Sequence, residues 1–298
     1  MKDHDIVTKI RNMIPTASFE FEGESCIKAV FTNSECKFYG ILRLFSIEDK
    51  KEILNLISKL NCLRHLDLRK NKLGKIDLGL TCLQHLDLGS NYMGEVPSWI
   101  RKNNLTYLNL GVNELNDLPS WFGDLTSLEV LKIHKNKIND FSNLSSFLSL
   151  RELNLYFNCV NKIPNFIFDF VNMNYFSWGM SPIEELSDSI CKLVNLHYLS
   201  IVGNRLKYLP DSICFCENMV GMRLNKNKIE YLPDQIGLMK KLKMISLYKN
   251  ELRILPDSFY KLNLEKCNLA NNCFSNKPKV TSNWYAFNDE DLDWEWKK

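Results

Sequence analysis

The sharpest chemistry in the sequence sits in four side chains, His65, Asp67, His85 and Asp87. Each histidine stands two residues before an aspartate, and the second pair follows the first after 20 residues. Residues two apart on a strand share a face. If the two segments pair side by side, the imidazoles lie roughly 5 Å apart with two carboxylates beside them, a donor set that zinc accepts. The competing expectation is a solvated polar strand face, and it is the one adopted here: no metal and no cofactor are expected, and a metal-dependent site at these residues is kept as a lesser alternative. No nucleophile elbow, phosphate-binding loop, HExxH helix or kinase signature is present, so the chain is not expected to be an enzyme.

The elements that carry these residues belong to an internal repeat. LRHLDLRKNKL begins at Leu63, and the same frame recurs from Leu83, Leu105, Leu128, Leu150, Met173, Leu196, Met219, Leu242 and Leu264. The ten starts are 20, 22, 23, 22, 23, 23, 23, 23 and 22 residues apart. Positions 4 and 6 are apolar and alternate with polar neighbours, which predicts a strand with one buried face. Every repeat runs the same way and has a long return, so the strands must be parallel. The return carries Leu-Pro-x-x-Ile or a near variant at Val96, Leu118, Ile163, Leu209, Leu232 and Leu255. Proline there suits the first position of a short helical turn. Position 9 is Asn in nine repeats, from Asn71 to Asn272. A carboxamide both donates and accepts, so stacked asparagines can satisfy the backbone groups of successive turns.

This pattern resembles the leucine-rich-repeat proteins. Its Leu-Pro-x-x-Ile return resembles their intracellular 23-residue subclass, found in Ras-associated scaffolds, plant intracellular relatives and bacterial proteins. The resemblance covers Leu63 to Phe274 and implies an α/β solenoid, a horseshoe with a parallel concave sheet and short helical or 3-10 convex segments. It is nearly silent on function, because such folds serve many partners. Extracellular members carry cysteine-rich flanks, and Cys26 and Cys36 do not match that pattern.

Three regions are expected. Residues 1–62 form an N-terminal cap with degenerate strands at Ile27–Phe31 and Tyr39–Leu44. A leading helix over 46–61 opens with Ser46 and Asp49 in a capping box, and residues 1–18 are expected to be partly disordered. Residues 63–274 are the ten repeats. Residues 275–298 form an acidic-aromatic cap or tail, in which Trp284, Tyr285, Phe287, Trp294 and Trp296 cover the last repeat or dock on a partner.

Composition sets the outer limits. The chain has 298 residues, 45% apolar and 24% charged, with a net charge of +3 from 38 basic and 35 acidic residues. That near-balance gives no pull toward nucleic acid or anionic membrane. No run of 18 apolar residues exists to span a bilayer, and the charged N-terminus lacks a signal-peptide core. Cytoplasmic residence and a monomer are expected. The ten cysteines form no CxxC pair. Cys62 and Cys82 hold equivalent positions but are expected to be free thiols. Cys267 fills a core slot, and Cys214 with Cys216 is not expected to hold zinc.

A partner would sit on the strand face, at positions 3, 5, 7 and 8. The middle repeats place Tyr156, Phe157, Tyr175, Met180 and Tyr198 there, with Tyr107, Lys132, His134, Arg223 and Tyr248 around them. Aromatic anchors with a polar basic rim are what protein interfaces favour, although exposed tyrosines also stabilise a sheet by cross-strand stacking. Repeat six is irregular: Ser181 replaces the ladder Asn, Leu186-Ser187 replaces Leu-Pro, and Trp178-Gly179 enters the strand. A functional site and ordinary repeat decay both account for that. The chain is expected to be a non-catalytic scaffold that binds another protein, with intracellular signalling as the expected setting. The alternative is a bacterial-type effector that binds and blocks a host protein.

Overall fold

A computed structural model describes residues 2–31, 42, 45–276 and 278. It divides into two compact units, residues 1–150 and 151–298. In the first unit, helix α1 (Asp3–Met13) precedes the strands β1 (Ser18–Glu22) and β2 (Ser25–Val30). Helix α2 (Ile47–Ile57) follows, then β3 (His65–Asp67), β4 (His85–Asp87), β5 (Tyr107–Asn109) and β6 (Val130–Lys132). β1 and β2 form an antiparallel hairpin. From β2 onward the strands pair in parallel: Lys28 opposes His65, His65 opposes His85, His85 opposes Tyr107, and Tyr107 opposes Val130. The predicted cap strand at 27–31 is therefore the first rung of the repeat sheet.

The second unit holds β7 (Glu152–Asn154), β8 (Tyr175–Gly179), β9 (Tyr198–Val202), β10 (Gly221–Arg223), β11 (Met244–Ser246) and β12 (Lys266–Asn268). Each is parallel to the next in chain order. Both units thus have the architecture of a repeat solenoid.

Positions 4 and 6 form the core, as their alternation requires: Leu66, Leu68, Leu86, Leu88, Leu108 and Leu110 are fully buried. Repeat six fills the same two slots with Phe176 and Trp178, 0% and 1% exposed. Trp178 is thus a core residue and not part of the strand face. Eight described return segments contain a 3-10 turn, and in five of them a proline stands directly before it. Pro97, Pro119, Pro164, Pro210 and Pro256 take φ between −62° and −66°. Repeat six lacks that proline, and Ser187 caps the turn instead by accepting a hydrogen bond from the Ser189 N–H at 3.2 Å.

Eight of the nine ladder asparagines are buried, and their carboxamides bond the backbone of the turns. Asn91 donates to the carbonyls of Leu68 and Leu88, both at 2.9 Å, and accepts from the Asn71 N–H at 2.9 Å. Asn136 donates to Leu110 and Ile133 at 3.0 Å and accepts from the Leu115 N–H at 3.1 Å. Asn136→Ala leaves these groups unpaired in a site that is 5% exposed. It should cost about 1–3 kcal/mol, read as a fall in the urea midpoint, and an unchanged midpoint would contradict the ladder.

One feature of the turn has no sequence signal. Position 8 is left-handed in all ten repeats, at residues 70, 90, 112, 135, 157, 180, 203, 226, 249 and 271, with φ between 52° and 69°. Only Gly203 among them is the residue type that favours this region. The conformation is held because eight of these N–H groups, from Lys70 to Lys249, extend the sheet by one bond to the next repeat. Val112 donates to His134 O at 2.7 Å, Phe157 to Gly179 O at 2.8 Å and Lys226 to Tyr248 O at 2.8 Å.

The N-terminus differs from expectation. Residues 3–13 are helical, and Ile6, Val7 and Ile10 are buried on a helix that packs on β2 and α2. The flanking charges of Asp3, Asp5, Lys9 and Arg11 mask that short apolar stripe in the sequence. α2 starts as expected, with the Ser46 hydroxyl accepting from the Asp49 N–H at 3.1 Å. Of Tyr39–Leu44 only Leu42 is described: it is buried, and its N–H donates to Asn71 Oδ1 at 2.8 Å. The rest of that segment, Cys36 and the tail from 279 lie outside the described residues.

Candidate functional site

In the first unit the position-3 side chains form a column of rings. His65 and His85 stack at 3.9 Å between centroids with planes 7° apart, and His85 stacks on Tyr107 at 3.8 Å and 8°. Lys132 Nζ lies 5.5 Å from the Tyr107 centroid, a cation–π arrangement. Beneath the histidines the two aspartates are almost inaccessible, 3% and 2% exposed. The expectation that position 5 faces solvent does not hold there. The Arg69 guanidinium bridges them, with Nη2 2.6 Å from Asp67 Oδ2 and Nε 3.7 Å from Asp87 Oδ2. Asn109 and the Gly89 N–H also donate to Asp87, at 3.0 and 2.9 Å.

This arrangement does not assemble a metal site. Stacked parallel imidazoles do not direct their lone pairs at one point, and both carboxylates are engaged by Arg69. Among the described residues no group of three or more His, Cys, Asp or Glu side chains is placed to hold a metal.

The histidines are held neutral. Burial pushes His85 down to about 3, helped by the neighbouring His65 and Arg69, and burial with Lys135 and Lys132 pushes His134 to about 4. Their folded values lie below the unfolded value, so the unfolded chain binds the extra protons. The stability they confer is present above the unfolded value near 6.5 and is lost as pH falls from there toward 4. A His85→Phe, His134→Phe variant should flatten the melting midpoint across that window. A slope equal to wild type would contradict the assignment.

His134 itself is placed by a glycine. A Cβ on Gly111 would lie 2.3 Å from the His134 ring, so the ring packs flat on that backbone. The same device recurs in the second unit, where the Tyr156 ring lies against Gly179, 2.9 Å from where a Cβ would be.

In the second unit Tyr175 opposes Tyr198, and Tyr198 opposes Gly221. Tyr156, Tyr175, Tyr198, Arg223 and Tyr248 are half-buried, less open than the sequence suggests. Burial raises the hydroxyl pKa of Tyr156 and Tyr175, and the nearby Arg223 charge opposes that in both. Lys249 Nζ lies 5.3 Å from the Tyr248 centroid. The freely exposed apolar members are Phe157, 49% exposed, and Met180, 45%, both at the left-handed position. The structure thus groups Tyr107, Lys132 and His134 in one unit, and Tyr156, Phe157, Tyr175, Tyr198, Arg223 and Tyr248 in the other. Sequence reasoning missed Arg69 as the clamp on the two aspartates, and it missed the role of Gly111 and Gly179 in seating the rings.

The leucine-rich repeat region family matches residues 21–165 and 133–263. A leucine-rich-repeat protein of Leptospira interrogans is 27% identical over 74% of this chain and 70% of its own, with a TM-score of 0.56. The leucine-rich-repeat ectodomain of the Arabidopsis receptor kinase HAESA, solved with a peptide hormone ligand, is 26% identical over 73% of this chain, with a TM-score of 0.65. This chain spans 40% of that one. An internalin of Listeria monocytogenes shares the fold, at 19% identity, a TM-score of 0.65, and 90% of this chain and 82% of that one covered. No curated protein matches the chain. Two family matches that together span residues 21–263, on a parallel repeat sheet with an asparagine ladder, show that the chain belongs to the leucine-rich-repeat family.

Proposed function

We propose that the chain is a non-catalytic scaffold that binds another protein on the strand face of its second unit. Leucine-rich-repeat proteins generally serve as interaction modules, and the solved HAESA relative is in complex with a peptide ligand. The observation that carries the proposal is the pair Phe157 and Met180, two large apolar side chains about half exposed beside the half-buried Tyr156, Tyr175 and Tyr198. Contiguous apolar surface of this kind marks interaction sites, and aromatic residues with arginine dominate their energetics. Tyr107, Lys132 and His134 offer a smaller polar face in the first unit. The Leu-Pro-x-x-Ile return supports reading the chain as one of the intracellular subclass.

The test is capture of partners from native lysate by wild type and by a Phe157→Ala, Tyr198→Ala, Tyr248→Ala variant with an unchanged melting midpoint. Loss of a partner at least about tenfold, or 1.4 kcal/mol, is expected. Equal capture by the variant would remove this face from the account.

Residence in a reducing cytoplasm is part of the same proposal. Cys62, Cys82, Cys159 and Cys273 are exposed free thiols, and Cys26, Cys214, Cys216 and Cys267 are free and buried. Burial raises the Cys26 and Cys214 thiols to about 11 and the Cys216 and Cys267 thiols to about 12, so they stay protonated and unreactive. Alkylation of the natively purified protein after denaturation without reductant should count ten thiols. A count short by two would indicate a disulfide and an oxidising compartment.

A further inference from the structure

Within the second unit, the loops that leave the strands are normally tied to one another twice. The N–H at position 10 donates to the position-11 carbonyl of the preceding loop: Arg205 to Ile183 at 2.9 Å, Lys228 to Leu206 at 2.9 Å, and Glu251 to Ile229 at 3.0 Å. The ladder Asn then accepts from the N–H at that same position 11, as Asn227 does from Leu206 at 3.2 Å and Asn250 from Ile229 at 3.0 Å. Repeat six changes both residues at once, to Ser181 and Pro182. Proline has no N–H to give, and serine has no carboxamide. The chemistry of both ties to loop five is therefore missing in one two-residue stretch.

A cavity of about 1100 Å³ lies at this place. Its floor is apolar and buried, made by Ile163, Ile183, Leu186 and Leu209. Its rim carries four carboxylates, Glu184, Glu185, Asp188 and Asp211, against two cations, Lys162 and Arg205. That local excess of two negative charges stands in a chain of net charge +3. At one end Tyr208 and Tyr231 stack at 6.3 Å with planes 9° apart, and Tyr231 is 55% exposed. The Tyr208 hydroxyl donates to Glu185 Oε1 at 3.4 Å. The Glu185 charge raises the Tyr208 hydroxyl above its ordinary value.

We propose that this cavity binds an arginine-bearing basic segment of a partner protein. An arginine stem is apolar and its guanidinium is planar, so one side chain can use the floor, the carboxylates and an aromatic face together. The paired tyrosines favour a flat cation over a compact one, and the negative rim steers it in. None of these residues lies on the strand face, so this inference is independent of the binding site proposed there.

The experiment is a fluorescence-anisotropy titration of the full chain with a labelled nona-arginine peptide and, for comparison, a nona-glutamate peptide, at about 0.05 and 0.3 M salt. Wild type should bind the basic peptide and not the acidic one. Glu185→Gln with Asp188→Asn should weaken it at least about fivefold, and Tyr231→Ala about threefold. Asp124→Asn with Glu129→Gln, in the first unit, should leave it unchanged. The Phe157→Ala, Tyr198→Ala, Tyr248→Ala variant should bind the peptide as wild type does, so failure of the strand-face reading is distinguishable from failure of this one. No binding by wild type, or equal weakening by both carboxylate pairs, would overturn the proposal.

Discussion

Replacing Arg69 by methionine is expected to destabilise the first unit by about 2–4 kcal/mol at pH 7. Removing one partner of a buried ion pair typically costs 3–5 kcal/mol, because the other charge is left without compensation. The lower range applies here because the Arg69 side chain is 46% exposed while the Asp67 and Asp87 side chains are only 4% and 3% exposed. The loss should depend on pH in a definite direction. Burial, and then the neighbouring Asp67, already raise the Asp87 pKa, while Arg69 lowers it. Without Arg69 the folded value rises further above the unfolded one. A group raised in this way favours the folded state below the unfolded value and penalises it as pH rises through the folded value. The difference between wild type and Arg69→Met should therefore shrink as pH falls from 7 toward 4. Denaturant midpoints at the two pH values check this, and an equal difference at both would show that Arg69 contributes through packing alone.

Gly179→Ala should cost about 2–3 kcal/mol, in the range of overpacking a closed site. Its Cβ would lie 2.3 Å from the Val202 carbonyl oxygen, which is backbone and accepts the Met180 N–H at 2.8 Å. Either the sheet moves or the Tyr156 ring leaves its seat. Gly111→Ala is the control: the three atoms nearest its Cβ all belong to the His134 ring, which can rotate away, so that substitution should cost under about 1.5 kcal/mol. The two melting midpoints, measured side by side, decide the matter. Equal costs would mean that the close approach at Gly179 is not what fixes Tyr156.

The repeat frame was legible because the same apolar positions recur at 20 to 23 residues, and each recurrence confirms the others. The strands, the parallel pairing and the asparagine ladder all follow from that period. The left-handed turn at position 8 was not legible, since Lys70, Val112, Phe157 and Met180 carry no preference for it and the conformation is held by bonds to the next repeat. Helix α1 was hidden because its apolar stripe is three residues long among charges.

For the candidate site, alternation told which residues face away from the core but not how closely neighbouring side chains crowd them. Asp67 and Asp87 therefore read as part of a solvated polar face when they are almost inaccessible and clamped by Arg69. Trp178 read as one element of the irregularity in repeat six, and it fills a core slot. The cavity beside Pro182 needed the loop bonds of the neighbouring repeats before the loss at repeat six could be seen. The aromatic tail, Trp284 to Trp296, lies outside the described residues, and its role as cap or docking segment stays an expectation.

The most direct test of the strand-face proposal compares two phenylalanines of similar exposure on different surfaces. Phe157 stands at the end of a strand-face row and is 49% exposed; Phe215, in the 3-10 turn Asp211–Phe215, is 59% exposed. A photo-crosslinking phenylalanine analogue placed at each position in turn, in native lysate, should capture a discrete protein from position 157 and none from position 215. Capture from position 215 alone, or equal capture from both, would contradict the assignment of binding to the strand face.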